Sequence, residues 1–307
     1  MQREKRTVSG RLLECDFFPI FENGAKVPTR RKKEKLSSAA QQKYNELQAT
    51  KKVVRLVNCN FDESDYFLTV TYAAEKAPES EEQARKNIVN YMRRIKTKRK
   101  AEAKKAAKIA DAYQKALTKD PDNSALQAAN AAAAEKAKQL DKPLKYIYCI
   151  ERRTYKTGER KGKDNWHYHL FVSGGLDAAE MERAWTAGAR CNCARYQPQT
   201  FGLEAAAKYL CKDPQGRKRF ACSKNLDRPI TLPPKDGKVT AGTVAKMATQ
   251  RIDDAVYWER RYKGYRFVRC FARMNPFNGH WYVSVVMYRT ESEPPAWSGS
   301  EWLTEDF

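Results

Sequence analysis

The chain has 307 residues, with 59 Lys and Arg against 37 Asp and Glu, for a formal net charge of +22. A surplus of that size points to a polyanionic partner, nucleic acid first and a membrane surface second, and no apolar run approaches the ~18 residues of a spanning helix. No G-x-x-x-x-G-K-[ST] loop is present, which excludes a P-loop ATPase.

The length suits one large domain or two smaller ones. Residues 1–50 read as a basic arm. Its start, Met1-Gln2-Arg3-Glu4-Lys5-Arg6, is charged and leads into no hydrophobic core, so no secretory leader is expected. The run Val27-Pro28-Thr29-Arg30-Arg31-Lys32-Lys33 is either a solvated tail or a strap on phosphates. Ser37-Ser38 is placed to cap a helix that runs to Leu47. Residues 66–72 are aromatic and β-branched and read as a strand. Leu68, Val70 and Tyr72 share one face; Phe67, Thr69 and Thr71 share the other, as ordinary sheet surface or the wall of a polar site.

From Glu79 to Lys142 the pattern is helical, with Ser80-Glu81-Glu82 as its start. Between Arg93 and Lys108 nine basic residues face one acidic residue, Glu102. The helix breaks at Asp120-Pro121-Asp122-Asn123, so residues 98–141 are expected to form a projecting helical hairpin, a spacer or a binding arm. Residues 144–151 form the next strand, joined by a polar loop to the strand Trp166-His167-Tyr168-His169-Leu170-Phe171-Val172. Side chains alternate along a strand, so His167 and His169 share a face and can grip one divalent ion or remain two surface histidines. Glu151 ends the preceding strand where His167 begins the next, within reach of the same ion.

A short helix is expected from Asp177 to Trp185, a strand from Arg190 to Tyr196, and a helix from Phe201 to Lys212 stopped by Asp213-Pro214. Tyr209 and Lys212 share a face of that last helix, and Arg217, Lys218 and Arg219 follow in a basic loop. Cys191 and Cys193 share a strand face, but two thiols do not make a zinc site, and no C-x-x-C occurs. The eight cysteines read as reduced cytoplasmic thiols. Near the C-terminus, residues 277–286 combine an Asn-Gly turn with a strand, and His280 at the turn carries no functional signal.

In order, the chain carries Leu68-Thr69-Val70-Thr71, a strand ending in Glu151, His167-Tyr168-His169 and Tyr209-Leu210-Cys211-Lys212. This set resembles the motifs of HUH endonucleases, in particular rolling-circle replication initiators of bacterial plasmids and single-stranded DNA phages. The resemblance spans residues 51–97 and 142–230, leaving 98–141 as an insertion and 231–307 as a C-terminal extension that could complete the sheet. It implies an α+β fold, an antiparallel sheet with helices on one face, built like an RNA-recognition fold. It implies Glu151, His167 and His169 as ligands of Mn²⁺ or Mg²⁺, Tyr209 as nucleophile and Lys212 as its charge-stabilising neighbour. Thr69, Thr71, Arg217, Lys218 and Arg219 would contact single-stranded DNA or an origin hairpin. Ala205 stands four before Tyr209, so the chain looks like a single-tyrosine type, with Tyr196 poorly spaced as a second nucleophile. Without a P-loop, unwinding would fall to a host helicase, with a host polymerase extending the free end in the bacterial cytoplasm, away from any membrane. A relaxase or transposase would use the same chemistry. A non-catalytic nucleic-acid-binding protein would bind without metal and form no adduct.

Overall fold

The computed structural model describes residues 1–21, 39–154, 156–157, 161–162, 164–195, 207–208, 210, 220–276 and 278–290. The protein is α+β with antiparallel sheets, and it divides into two compact units.

The first unit falls within Met1–Cys59 and Asp227–Phe307. Strands β1 (Gln2–Ser9) and β2 (Leu12–Pro19) form a tight hairpin. Its turn begins at Gly10, with φ of +57°, where a Cβ would also lie 2.0 Å from the Asn58 carbonyl oxygen, so glycine is needed twice over. Helix α1 (Ala39–Asn60) buries Val53, Leu56 and Val57, and its Arg55 pairs with Glu14 of β2.

In the second unit, within Asn60–Gln199 and Leu203–Leu226, five strands form one antiparallel sheet. They are β3 (Tyr66–Tyr72), β4 (Tyr146–Thr154), β5 (Asp164–Val172), β6 (Gly188–Arg195) and β7 (Ala221–Cys222), in the order β6-β3-β5-β4-β7. One face carries Leu68, Val70, Tyr148, Ile150, Tyr168 and Leu170, all buried. Helix α2 (Glu81–Leu117) lays Ala84, Ile88, Tyr91, Met92 and Ile95 into that core at helical spacing. Ser80 caps α2 by accepting from the Gln83 amide, and Glu81 and Glu82 favour its positive N-terminal end. Asn123 caps α3 (Ser124–Asp141) in the same way, just after the turn that breaks the two helices apart. Asp177 and Glu180 make a reciprocal capping box at α4 (Ala178–Arg183).

The helical hairpin is not a separable insert, because α2 runs unbroken across residue 98. Buried Arg99 ties it to the sheet. Its guanidinium donates to the carbonyl oxygens of Ser173 and Gly174 after β5, and of Gln139 and Lys142 at the end of α3. Beside it, the Asp65 carboxylate accepts from the Gly174 and Asp62 amides. Burial pushes the Asp65 carboxyl up, while those amides and Arg99 pull it down. Beside this knot α3 buries only Leu140, and beyond Arg99 α2 buries only Ala103 and Ala106.

The remaining elements belong to the first unit. They are β8 (Ile230–Thr231), β9 (Lys235–Asp236), α5 (Ala241–Gln250), α6 (Ala255–Arg261), β10 (Tyr265–Met274) and β11 (Trp281–Arg289). The strand order is β10-β11-β2-β1-β8, with β9 also on β1. Val244, Met247 and Trp258 of α5 and α6 pack on Val8, Cys15, Phe17, Val283 and Val285.

Two expectations are corrected. The first half of residues 1–50 is not an arm: β1 and β2 lie in the middle of a sheet, held by cross-strand partners from the far end of the chain. The C-terminal region does not complete the histidine sheet; β10 and β11 extend the N-terminal hairpin into a sheet of its own. The basic run 27–33 lies outside the described residues.

Candidate functional site

β5 supplies two imidazoles, and the register fixes what stands beside them. On one side, Thr69 lies opposite His169 and Thr71 opposite His167. On the other, Cys149 lies opposite His169 and Glu151 opposite His167. Side chains of paired residues point the same way, so all six share the face turned away from α2.

His169 is held at both nitrogens. Thr69 Oγ1 is 3.1 Å from Nδ1, and Glu151 Oε2 is 3.0 Å from Nε2. With an ionised Glu151, which only accepts, Nε2 would donate in that bond, and in the neutral ring Nδ1 would then accept from the threonine hydroxyl. His169 and Glu151 are each 5% exposed, so water is largely excluded from the contact. The Phe67 ring stacks on the imidazole, with centroids 6.2 Å apart and planes 6° from parallel. His167 is half-buried, and its Nδ1 lies 3.0 Å from Thr71 Oγ1. Each ring is thus fixed at Nδ1, and that of His169 is engaged by Glu151 at Nε2 as well. Such a second partner is what orients an imidazole that binds metal.

The donors can be tested against a divalent ion. Two neighbouring ligands of an octahedral ion with bonds of about 2.1 Å stand about 3.0 Å apart. Glu151 Oε2 and His169 Nε2 have that separation. An ion taking them as ligands would replace the Nε2 proton. The same 3.0 Å is the length of the hydrogen bond that now joins the two atoms, so Nε2 is directed at the carboxylate. Among the described residues no three His, Cys, Asp or Glu side chains are gathered closely enough to hold an ion. His167 stands on the same face without closing the set.

Thr69 and Thr71 were expected to contact DNA, and the structure gives their hydroxyls a nearer partner in the imidazoles. Tyr209, Lys212, Arg217, Lys218 and Arg219 lie outside the described residues. Their neighbours Ala207, Lys208 and Leu210 are helical; Ala207 and Leu210 are buried and Lys208 is exposed. Cys191 and Cys193 do share a face, but it is the core face, where Tyr91 Oη lies 3.7 Å from Cys191 Sγ. Burial pushes the Cys191 thiol up to about 11. Sequence reasoning missed Phe67 and Cys149 at His169. Alternation had already put Phe67 on the threonine face, and the same period applied to Glu151 reaches Cys149. His280 sits at the β10–β11 turn, its ring 5.5 Å from that of Phe21. No helix among the described residues is long and apolar enough to cross a membrane.

Set against known proteins, the chain matches no protein-family model, no curated protein and no solved structure.

Proposed function

We propose that the five-stranded unit nicks and rejoins single-stranded DNA through a tyrosine, and that the protein thereby starts rolling-circle replication in the cytoplasm of a bacterial host. The observation that supports this reading is the pair of histidines tethered by Thr69 and Thr71 beside a buried Glu151 on one sheet face. Glu151, His167 and His169 would hold Mn²⁺ or Mg²⁺, which supplies positive charge to a phosphodiester that otherwise repels nucleophiles. Thr69 and Thr71 keep the two rings aimed. Tyr209, whose hydroxyl has an ordinary pKa of about 10, gives up its proton and attacks phosphorus. The bond from phosphorus to the tyrosine oxygen forms, and the bond to the 3′ oxygen breaks. That oxygen takes up a proton and leaves as a 3′-hydroxyl, while the 5′-phosphate stays on Tyr209. Lys212, three residues further on in sequence, offsets the developing charge. Arg217, Lys218 and Arg219 hold the backbone. The phosphotyrosine link keeps the bond energy, so rejoining is the reverse attack by a 3′-hydroxyl and needs no ATP. A host helicase and polymerase would act on the opened strand.

The test is a denaturing gel after incubation with single-stranded and hairpin DNA and Mn²⁺. A shifted band that EDTA and Tyr209→Phe both abolish is expected. Its absence with every DNA, while binding persists, would overturn the nuclease reading. A non-catalytic binding protein is the second reading. It is favoured by the closed Glu151–His169 bond and the ungathered third donor, and it requires DNA binding that EDTA leaves unchanged.

A further inference from the structure

We propose that the outward face of α2 is a second DNA contact: a ridge that holds the phosphate backbone of duplex DNA, apart from the histidine face. Arg93, Lys96, Lys100, Lys104 and Lys108 recur every three or four residues, so they form one stripe along the helix. All five are exposed, on the side opposite Ile88, Ile95 and Ala106. Fifteen residues of helix place the first and last charges about 22 Å apart, the length of about six base-pair steps of duplex.

Three of the four acidic residues of the helix pair with bases outside the stripe, and the fourth, Glu82, lies eleven residues before Arg93. Glu81 pairs with Arg85, Glu102 with Lys105 at 2.6 Å, and Asp111 with Lys115 at 2.9 Å. A solvated helix face normally mixes signs, as those pairs do. Five like charges in a row repel one another and weaken the helix. The cost is offset when a polyanion lies along them. Beside the ridge, α3 adds Lys138 to the groove that Lys100 and Lys104 line; Asp141 is the carboxylate there.

The chemistry selects duplex over single strand. Residues 93–108 contain no Phe, Tyr or Trp, so the ridge has no ring on which unpaired bases stack. It offers point charges on a straight rod, which suits the regular backbone of a helix. The choice of DNA among polyanions rests on the proposed nicking function; the ridge itself rests on the charge pattern.

The test is binding to a 30-base-pair duplex between 50 and 200 mM KCl. The variant replaces Arg93, Lys96, Lys100, Lys104 and Lys108 with Gln, which keeps helix propensity. A control variant replaces Lys51, Lys224, Lys238, Lys246 and Lys263, five exposed lysines elsewhere. The log-affinity against log-salt slope should fall by about 4–5 for the ridge variant, with about 100-fold or more loss of affinity at 100 mM, and by less than about 1 for the control. Equal changes in both variants, or a loss confined to single-stranded DNA, would overturn the proposal. Nicking of a short single strand is measured in parallel with the ridge variant. An adduct with an unchanged duplex slope sinks the ridge alone; a ridge-dependent slope with no adduct from any protein sinks the nicking reading alone.

Discussion

Glu4 and Glu14 in the six-stranded sheet and Glu151 in the five-stranded sheet are buried alike, at 5, 6 and 5% exposure. Their partners differ. Arg261 and the Tyr262 hydroxyl each donate to Glu4 at 3.0 Å, and Arg55 pairs with Glu14. A guanidinium stays charged at any working pH, so these contacts have one state. Burial also pushes the Tyr262 phenol up, which keeps it a donor. Glu151 faces an imidazole instead. An imidazole can lose its proton, gain one, or give its lone pair to a cation. Equal burial therefore supports permanent structure in one sheet and adjustable chemistry in the other.

One exchange, carboxylate to amide, tests this in both sheets. Glu151→Gln keeps an acceptor for His169 Nε2 but removes the anionic donor. Adduct formation should fall by about 100-fold or more, with little change in urea midpoint. A large loss of stability with activity retained would erase the distinction. Arg99→Met asks whether a permanent charge is also structural within the histidine unit. Four carbonyl oxygens lose their donor, and unfolding should become easier by about 3 kcal/mol in urea titrations. A change under about 1 kcal/mol would mean that water satisfies those oxygens. Glu4→Gln should cost about 2 kcal/mol, since two bonds to a charged acceptor weaken, and should leave adduct formation unaltered. Lost activity there would place function in the wrong sheet.

What the sequence made legible was local. Alternation along β3 and β5 separated Leu68, Val70 and Tyr72 from the threonines, and Tyr168 and Leu170 from the histidines. The Asp120–Asn123 turn and the caps at Ser80 and Asp177 depend on neighbours a few residues away. The N-terminal hairpin was not legible. The buried positions of β1 include Gln2 and Glu4, which read as surface. Glu4 is stable inside only because Arg261 and Tyr262, more than 250 residues later, return to it. The same non-locality hid β11 as the partner of β2. At the site, alternation showed which face the threonines take, but only the register shows Thr69 at His169 and Thr71 at His167.

On their helix-covered faces the two sheets should behave alike, and two cysteines report it. Cys191 of β6 packs against the core beneath α2, and Cys270 of β10 packs against α5 and α6. Burial pushes the first thiol up to about 11 and the second up to about 12. Only the thiolate alkylates, and a thiol at about 11 is ionised to only about 10⁻³ at pH 8, against roughly a quarter for an ordinary cysteine. Iodoacetamide labelling read peptide by peptide should therefore find both at least about 100-fold slower than an unfolded reference peptide. The rates should climb about tenfold per pH unit and converge on the reference in urea. If Cys191 labels quickly while Cys270 does not, the core face of the histidine sheet is open. Glu151 and His169 would then have lost the rigid backing that holds β4 and β5 in register, and the difference between the sheets would be one of packing rather than of partner.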